Sequence, residues 1–231
     1  MLRKMIFPVL LGLVGAAILA ALGTWQVQRL AWKEGILAEL DARMAAQPVA
    51  IPDAPLHRTD NYRRVQVRGT LDGPELHVLV TRKPDGPSFR IVRGLDSQSQ
   101  GRILVDLGTV PENQKNAARK GGGLLIEGNL IWPDETDGFT PDPDVEGNIW
   151  FARDVNKMAE VLGTRPIMVV ASATDPALTP RPWPVGVNIP NDHLQYAITW
   201  FSLMVIWLGM TGYLLWRIKR GNTDGQDDAG P

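Results

Sequence analysis

Two uncharged apolar runs, one near each end of the chain, restrict its fold more than any other feature. Met5 to Leu22 reads MIFPVLLGLVGAAILAAL, and Leu194 to Trp216 reads LQYAITWFSLMVIWLGMTGYLLW. Built as a helix, the first run is about 27 Å long, close to the ~30 Å hydrocarbon core of a bilayer. Lipid offers no water to backbone polar groups, so a run that crosses it must be helical. Arg3 and Lys4 precede the first run, and Arg217, Lys219 and Arg220 follow the second. The positive-inside rule then predicts both termini in the cytoplasm and the middle of the chain outside. A cleaved signal peptide is the competing reading of the first run, given its basic start and short apolar stretch. The lack of a clear small-x-small cleavage site, and the patterned aromatic segment that follows, favour a retained helix. No long Arg/Ser-rich presequence precedes the run, which points to a bacterial inner-membrane protein with a periplasmic middle.

Averages over the 231 residues conceal this arrangement. The mean hydropathy is −0.09, and 44% apolar with 21% charged residues is the composition of a soluble domain. The 24 basic and 25 acidic residues leave a formal charge of −1, which excludes the global basic field of a nucleic-acid binder. Cysteine is absent, so disulfides, thiolate catalysis, cysteine-ligated zinc and iron–sulfur clusters are excluded. There is no phosphate-binding glycine loop, nucleophile elbow or zinc-protease helix motif. Gly121 to Gly123 reads as a turn. The acidic stretch holding Asp134, Asp137, Asp142 and Asp144 reads as a solvated loop, because it lacks the glycine and terminal glutamate order of a calcium-binding loop.

The pattern between the runs predicts an integral membrane α+β protein, in which two transmembrane helices flank a largely antiparallel β-rich external domain. Residues 1–4 form a cytoplasmic N-terminus and 5–24 the first transmembrane helix. Residues 25–61 hold an external helical extension and a Pro-rich linker. Trp25, Arg29, Trp32, Ile36 and Leu40 recur at steps of three and four before Pro48, Pro52 and Pro55 break the helix. From 62 to 173 the period shortens to that of strands in a periplasmic domain. RRVQVRG, ELHVLVTR, FRIVRGLDS, GRILVDLGTVP, GLLIEGNLI, NIWFARDV and IMVVASA are the candidates. A short helix is expected from Asp154, as N-cap, to a stop at Gly163. Residues 174–193 form a Pro-rich strap, 194–216 the second transmembrane helix, and 217–231 a disordered cytoplasmic tail.

Only three histidines occur, His57, His77 and His193. The first lies in the linker, and strand alternation allows the second to face solvent. His193 stands directly before the second apolar run, with Tyr196 and Trp200 at i+3 and i+7 on one helix face. Interfacial anchoring and ligation of an iron-bearing cofactor are both open readings of it. The matching end of the first helix carries Gly23, Trp25, Gln26, Arg29, Trp32 and Lys33, which reads either as an aromatic belt or as a collar facing His193.

These ends form the patterns G-x-W-Q-x-x-R-x-x-W-K and N-x-H-L-Q-Y-A-I-T-W-F. The middle adds Tyr62 before V-x-V-x-G, I-L-V-D-x-G-x-V-P from Ile103 to Pro111, and G-x-L near Gly128. Together with the two-span layout, nearly the whole chain resembles the Surfeit-locus family of cytochrome c oxidase assembly factors, in particular its bacterial haem a binding members. The resemblance implies a non-enzymatic chaperone that binds haem a transiently, as cargo, and assists its insertion into subunit I of an aa3-type oxidase. It implies His193 as iron ligand, Tyr196 and Trp200 as pocket walls, and Trp25, Gln26 and Arg29 on the opposing helix. The implied partners are oxidase subunit I, haem a synthase, other assembly factors and membrane lipid, with no nucleic acid. A scaffold that organises oxidase assembly without binding haem is the alternative. One departure is visible: the family's V-D-R-G-W-V-P is here Val105-Asp106-Leu107-Gly108-Thr109-Val110-Pro111.

Overall fold

The computed structural model describes residues 2–82, 86–173, 180–186 and 190–224. It divides into two compact units, Glu39–Val187 and the pair Met1–Ala38 with Asn188–Pro231. Helix α1 spans Leu2–Ala45 and helix α4 spans His193–Asp224. Both contain a stretch long and apolar enough to cross a membrane, and almost none of it is buried within the protein. A core helix of a soluble domain would instead be covered. Helix α4 continues four residues past Arg220, which corrects the expectation of a disordered tail from residue 217. Residues 225–231, and the parts of the strap at 174–179 and 187–189, lie outside the described residues.

In the larger unit, strands β1 (Val49–Ala50), β2 (Arg64–Arg82), β3 (Gly86–Ser97), β4 (Gly101–Pro111), β5 (Gly122–Ile131) and β6 (Arg165–Ala173) form one sheet. The order is β1-β2-β3-β4-β6-β5, and β2 also pairs with β5, so five strands close into a barrel. Closure depends on the length of β2. Its first half pairs with β5 from Arg64↔Asn129 to Leu71↔Gly122, and its remainder with β3 from Thr70↔Asp96 to Arg82↔Gly86. The two pairings overlap at Thr70 and Leu71, and a register shift against β3 between Asp72 and Glu75, with Gly73 at φ +66°, bends the strand just beyond. The two segments read as separate strands are therefore one. The glycine and proline that suggested a break make the bulge instead. Gly122 and Gly123, expected in a turn, open β5.

The sheet is mixed, not wholly antiparallel, since β4–β6 and β1–β2 are parallel pairs. A parallel pair needs a crossover, and helix α3 (Val155–Leu162) lies on the connection from β4 to β6, after β5. Asp154 caps α3 by accepting from Lys157 N, and Gly163 ends it at φ +62°. Apolar side chains of all five barrel strands, among them Val65, Ile91, Val105, Ile126 and Val169, fill the interior. A second cluster lies outside, where Leu76, Val78, Val92, Leu104 and Met168 meet Met158, Ala159, Leu162 and Trp150. Burial on both faces explains why β3 and β4 show no clean alternation. Asn148 to Val155, expected as a strand, forms isolated bridges instead; in one of them Trp150 N donates to His77 O and Leu79 N to Trp150 O.

The V-D-L-G-T-V-P segment is a polar joint in β4. Asp106, with no exposure, accepts from Gly108 N at 3.0 Å, Arg90 Nη1 at 2.6 Å and Arg153 Nη1 at 3.2 Å. One carboxylate between two guanidiniums offsets their desolvation. Leu107 points into the barrel core. Thr109 accepts from Arg82 Nη1 at 2.7 Å and forms a backbone bridge to Arg181. The substituted Leu107 and Thr109 are thus fully used, one in packing and one in hydrogen bonds. Arg90 also lies under Trp183, 4.3 Å from the ring centroid.

Gly128 sits between β2 and β6, where a Cβ would lie 2.2 Å from Val170 O. Gly128→Ala is expected to push β5 off β6 and lower the stability of the barrel by about 1–3 kcal/mol. The measurement is a urea midpoint, with Gly138→Ala as control, since nothing lies within 4 Å of a Cβ there.

Candidate functional site

Helices α1 and α4 pair antiparallel along a seam of small residues. A Cβ on Gly12 would lie 2.4 Å from Thr211 Cγ2, one on Gly15 2.4 Å from Trp207 Nε1, and one on Gly23 2.8 Å from the Phe201 ring. Three glycines therefore allow three bulky or branched side chains to lie on the α1 backbone. Trp207 Nε1 donates to Gly12 O at 3.0 Å, which pairs the one polar group of that indole. The half-buried α4 positions Phe201, Met204, Trp207 and Thr211 recur every three or four residues, the spacing of a packed helix face. The smaller residues Ala16 and Ala197 are buried in the same unit.

This seam ends at a polar contact. His193 is the first residue of α4, and its Nδ1 lies 2.8 Å from Gln26 Oε1 of α1. An amide oxygen only accepts, so Nδ1 is the donor and carries the proton. In the neutral ring this leaves the lone pair on Nε2, the state in which imidazole binds a metal. Gln26 is 9% exposed, so its orientation is restrained by packing, while His193 is half-buried and open on one side.

The structure brings together only part of the residue set expected from sequence. Gln26 and His193 meet, and Trp200 is half-buried on α4. Trp25 and Tyr196 are each 54% exposed, on outward faces. The Arg29 guanidinium lies 3.9 Å over the Trp32 ring, and Lys33 Nζ donates to Pro190 O. Both cations thus already have partners at this end of the helix pair. Further along, Pro8, Leu11, Gly12, Trp207, Met210 and Leu214 line an apolar cleft of about 340 Å³. Gly12 is about 21 Å along the helix axis from Gln26. The cleft and the roles of Gly12, Gly15 and Trp207 were missed in the sequence. Their signal was present in the spacing of small residues on the first helix.

The other histidines do different work. His57 starts a short helix, α2 (His57–Asp60), with its ring 5.7 Å from that of Trp132. His77 does not face solvent, as alternation allowed, but is 5% exposed. The bulge before it turns this half of β2 beneath the loop carrying Asn148, and Nε2 bonds Glu75 Oε1 at 2.8 Å. Burial pushes the Glu75 carboxyl up, but the His77 hydrogen bond and the charge of Arg119 outweigh it and leave it below its usual value. Among the described residues no group of three or more His, Asp and Glu side chains is arranged to hold a metal ion.

Comparison with known proteins adds a separate finding. The profile of the SURF1 family matches residues 13–205. Surfeit locus protein 1 of Rattus norvegicus is 33% identical over 222 residues, covering 85% of this chain and 70% of the rat protein. Surfeit locus protein 1 of Homo sapiens is 34% identical over 209 residues, covering 79% and 69%. A SURF1-like protein of Monosiga brevicollis is 34% identical over 224 residues, covering 88% and 85%.

The absence of native cysteine allows a clean test of the helix pairing. The double variant Gln26→Cys/His193→Cys is expected to be bridged within one chain by a short bifunctional thiol crosslinker, and after that treatment to leave no thiol for a thiol-reactive polymer. Trp25→Cys/His193→Cys is expected to stay unbridged.

Proposed function

The chain belongs to the SURF1 family, and from that premise we propose that it is a cytochrome c oxidase assembly factor that binds haem a and assists its insertion into oxidase subunit I. The observation that carries this reading is the 2.8 Å contact from His193 Nδ1 to Gln26 Oε1, which leaves Nε2 free for iron. The helix pair is placed across the bacterial inner membrane, with both termini cytoplasmic and the barrel periplasmic. His193 then sits where the apolar run of α4 begins, at the outer boundary.

Haem a is amphiphilic. Its isoprenoid tail favours hydrocarbon and its propionates favour the polar boundary. The apolar cleft near Gly12 and Trp207 gives the tail a wall along the helices. Gln26 holds the imidazole in one tautomer and orientation, and Trp200 is half-buried where Tyr196 is exposed. The task is binding and release, not turnover, because the iron must pass to ligands in the oxidase. A single imidazole from one helix end suits release better than a closed protein cage. Subunit I, and the synthase that makes haem a, are the partners this role requires.

The test is the pigment of the full chain, purified in detergent from cells that make haem a. The wild type is expected to carry haem a, and His193→Ala to lose it. Gln26→Leu should retain the fold and lower haem affinity roughly tenfold, the cost usual for removing a ligand's orienting partner. His57→Ala should retain the pigment. Unchanged haem a content in His193→Ala would reject the ligand assignment. A colourless wild-type protein that still supports oxidase assembly would reject cargo binding and leave a membrane scaffold.

A further inference from the structure

The loop between β5 and α3 has no part in the helix-pair site, and it displays the two most exposed large apolar side chains among the described residues. Phe139 is 94% exposed and Val145 is 75% exposed. Isolated apolar residues on a surface are ordinary, but these stand at the tips of two ordered turns. In the first, Asp137 Oδ1 accepts from Phe139 N and from Thr140 Oγ1, both at 2.9 Å, and Thr140 Oγ1 accepts from Asp137 N at 2.9 Å. In the second, Asp144 and Ile149 exchange two backbone hydrogen bonds at 2.9 Å, and Asp144 Oδ1 accepts from Gly147 N at 2.9 Å.

The second turn is tied directly to the barrel, and the first follows Glu135, which is held by Arg153 beside Asp106 of β4. Asn148 Nδ2 donates to Glu75 O at 2.8 Å, and Lys115 Nζ to Gly147 O at 2.6 Å. Upstream, Arg153 grips Glu135 through its backbone N at 3.0 Å and its Nε at 3.1 Å. Burial raises the Glu135 carboxyl, yet the Arg153 contacts more than compensate and hold it below the usual range. Pro133, Pro141 and Pro143 stiffen the connections. The two tips are therefore presented already ordered, which removes much of the entropy cost of binding.

We propose that this loop docks a protein partner whose apolar pocket, rimmed by lysine or arginine, receives Phe139 and Val145. Charge selects the occupant. Residues 133–147 contain Asp134, Glu135, Asp137, Asp142, Asp144 and Glu146, and no basic residue. Arg153 answers Glu135, and Lys157 approaches Asp142 only at 3.8 Å. The remaining acidic rim attracts a basic surface and repels an anionic one. Loops that insert into membranes carry lysine and arginine beside their aromatics, the opposite pattern. A protein, not the lipid surface, is thus the fitting occupant. The inference does not depend on haem binding by His193.

The test places a photo-crosslinking phenylalanine analogue at position 139, and separately at 145, in the full chain in cells. Position 161, an exposed valine on α3, serves as control. The expected result is one protein crosslinked from both tips and not from 161, through a peptide that contains lysine or arginine. Its yield should fall at least about threefold with Asp134→Asn/Asp142→Asn/Glu146→Gln, or when membranes are irradiated at 0.5 M salt instead of low salt. These three carboxylates make none of the turn-forming bonds named above. An unchanged circular dichroism spectrum confirms that the variant keeps its fold. Crosslinks to lipid alone, to the same proteins as from position 161, or to nothing would each overturn the proposal. So would a yield indifferent to both charge removal and salt.

Discussion

Every backbone N–H and C=O withdrawn from water must find a partner, and the two units of this protein meet that demand in opposite ways. In α1 and α4 the bonds are made within each helix, so the helices can present apolar side chains on nearly every face. In the larger unit the bonds run between strands, so an edge would remain unless the sheet closed. The length of β2 permits closure, because one strand serves β5 with its first half and β3 with its remainder. Where the ladder is interrupted, side chains supply the missing partners. Asp106 accepts from Gly108 N, and Asn61 Oδ1 accepts from Trp132 N.

The same economy shapes the candidate site. Gly12, Gly15 and Gly23 remove side chains where α4 lies closest to α1, and the polar pair of Gln26 and His193 meets where the seam ends. The imidazole is held at one nitrogen and free at the other. His77 is likewise held at one nitrogen, by Glu75, with the other unpartnered, but it is buried beneath a loop and against Phe89, whereas His193 is half-exposed. An aromatic residue beside a histidine is not enough to make a site, as Trp132 beside His57 shows. What matters is which ring nitrogen has an acceptor and whether the other is open.

Much of this was legible in the chain. The apolar runs, the cap at Asp154, the stop at Gly163 and the helical continuation from Trp25 follow from local rules of period and capping. Other features were misread for physical reasons. Gly73-Pro74 looks like a turn in any local window, and only the pairing of both its flanks with β3 makes it a bulge. Asn148 to Val155 has strand composition, but it takes a loop course because Trp150 is needed in the cluster beneath α3. His77 sits on an alternating strand whose outer face is covered by a loop from seventy residues away in the chain.

By itself the sequence determined that two helices are apolar enough to enter a membrane, that a strand-rich domain lies between them, and that thiolate chemistry is absent. It also placed His193 at the start of the second helix and Gln26 near the far end of the first run. Tertiary structure decided that these two side chains meet, that Trp25 and Tyr196 face outward, that the sheet closes with two parallel pairs, and that Phe139 stands free. The reason is that period and capping specify which face of an element is apolar. They do not specify which distant element will cover that face, because that choice depends on the packing of the whole chain.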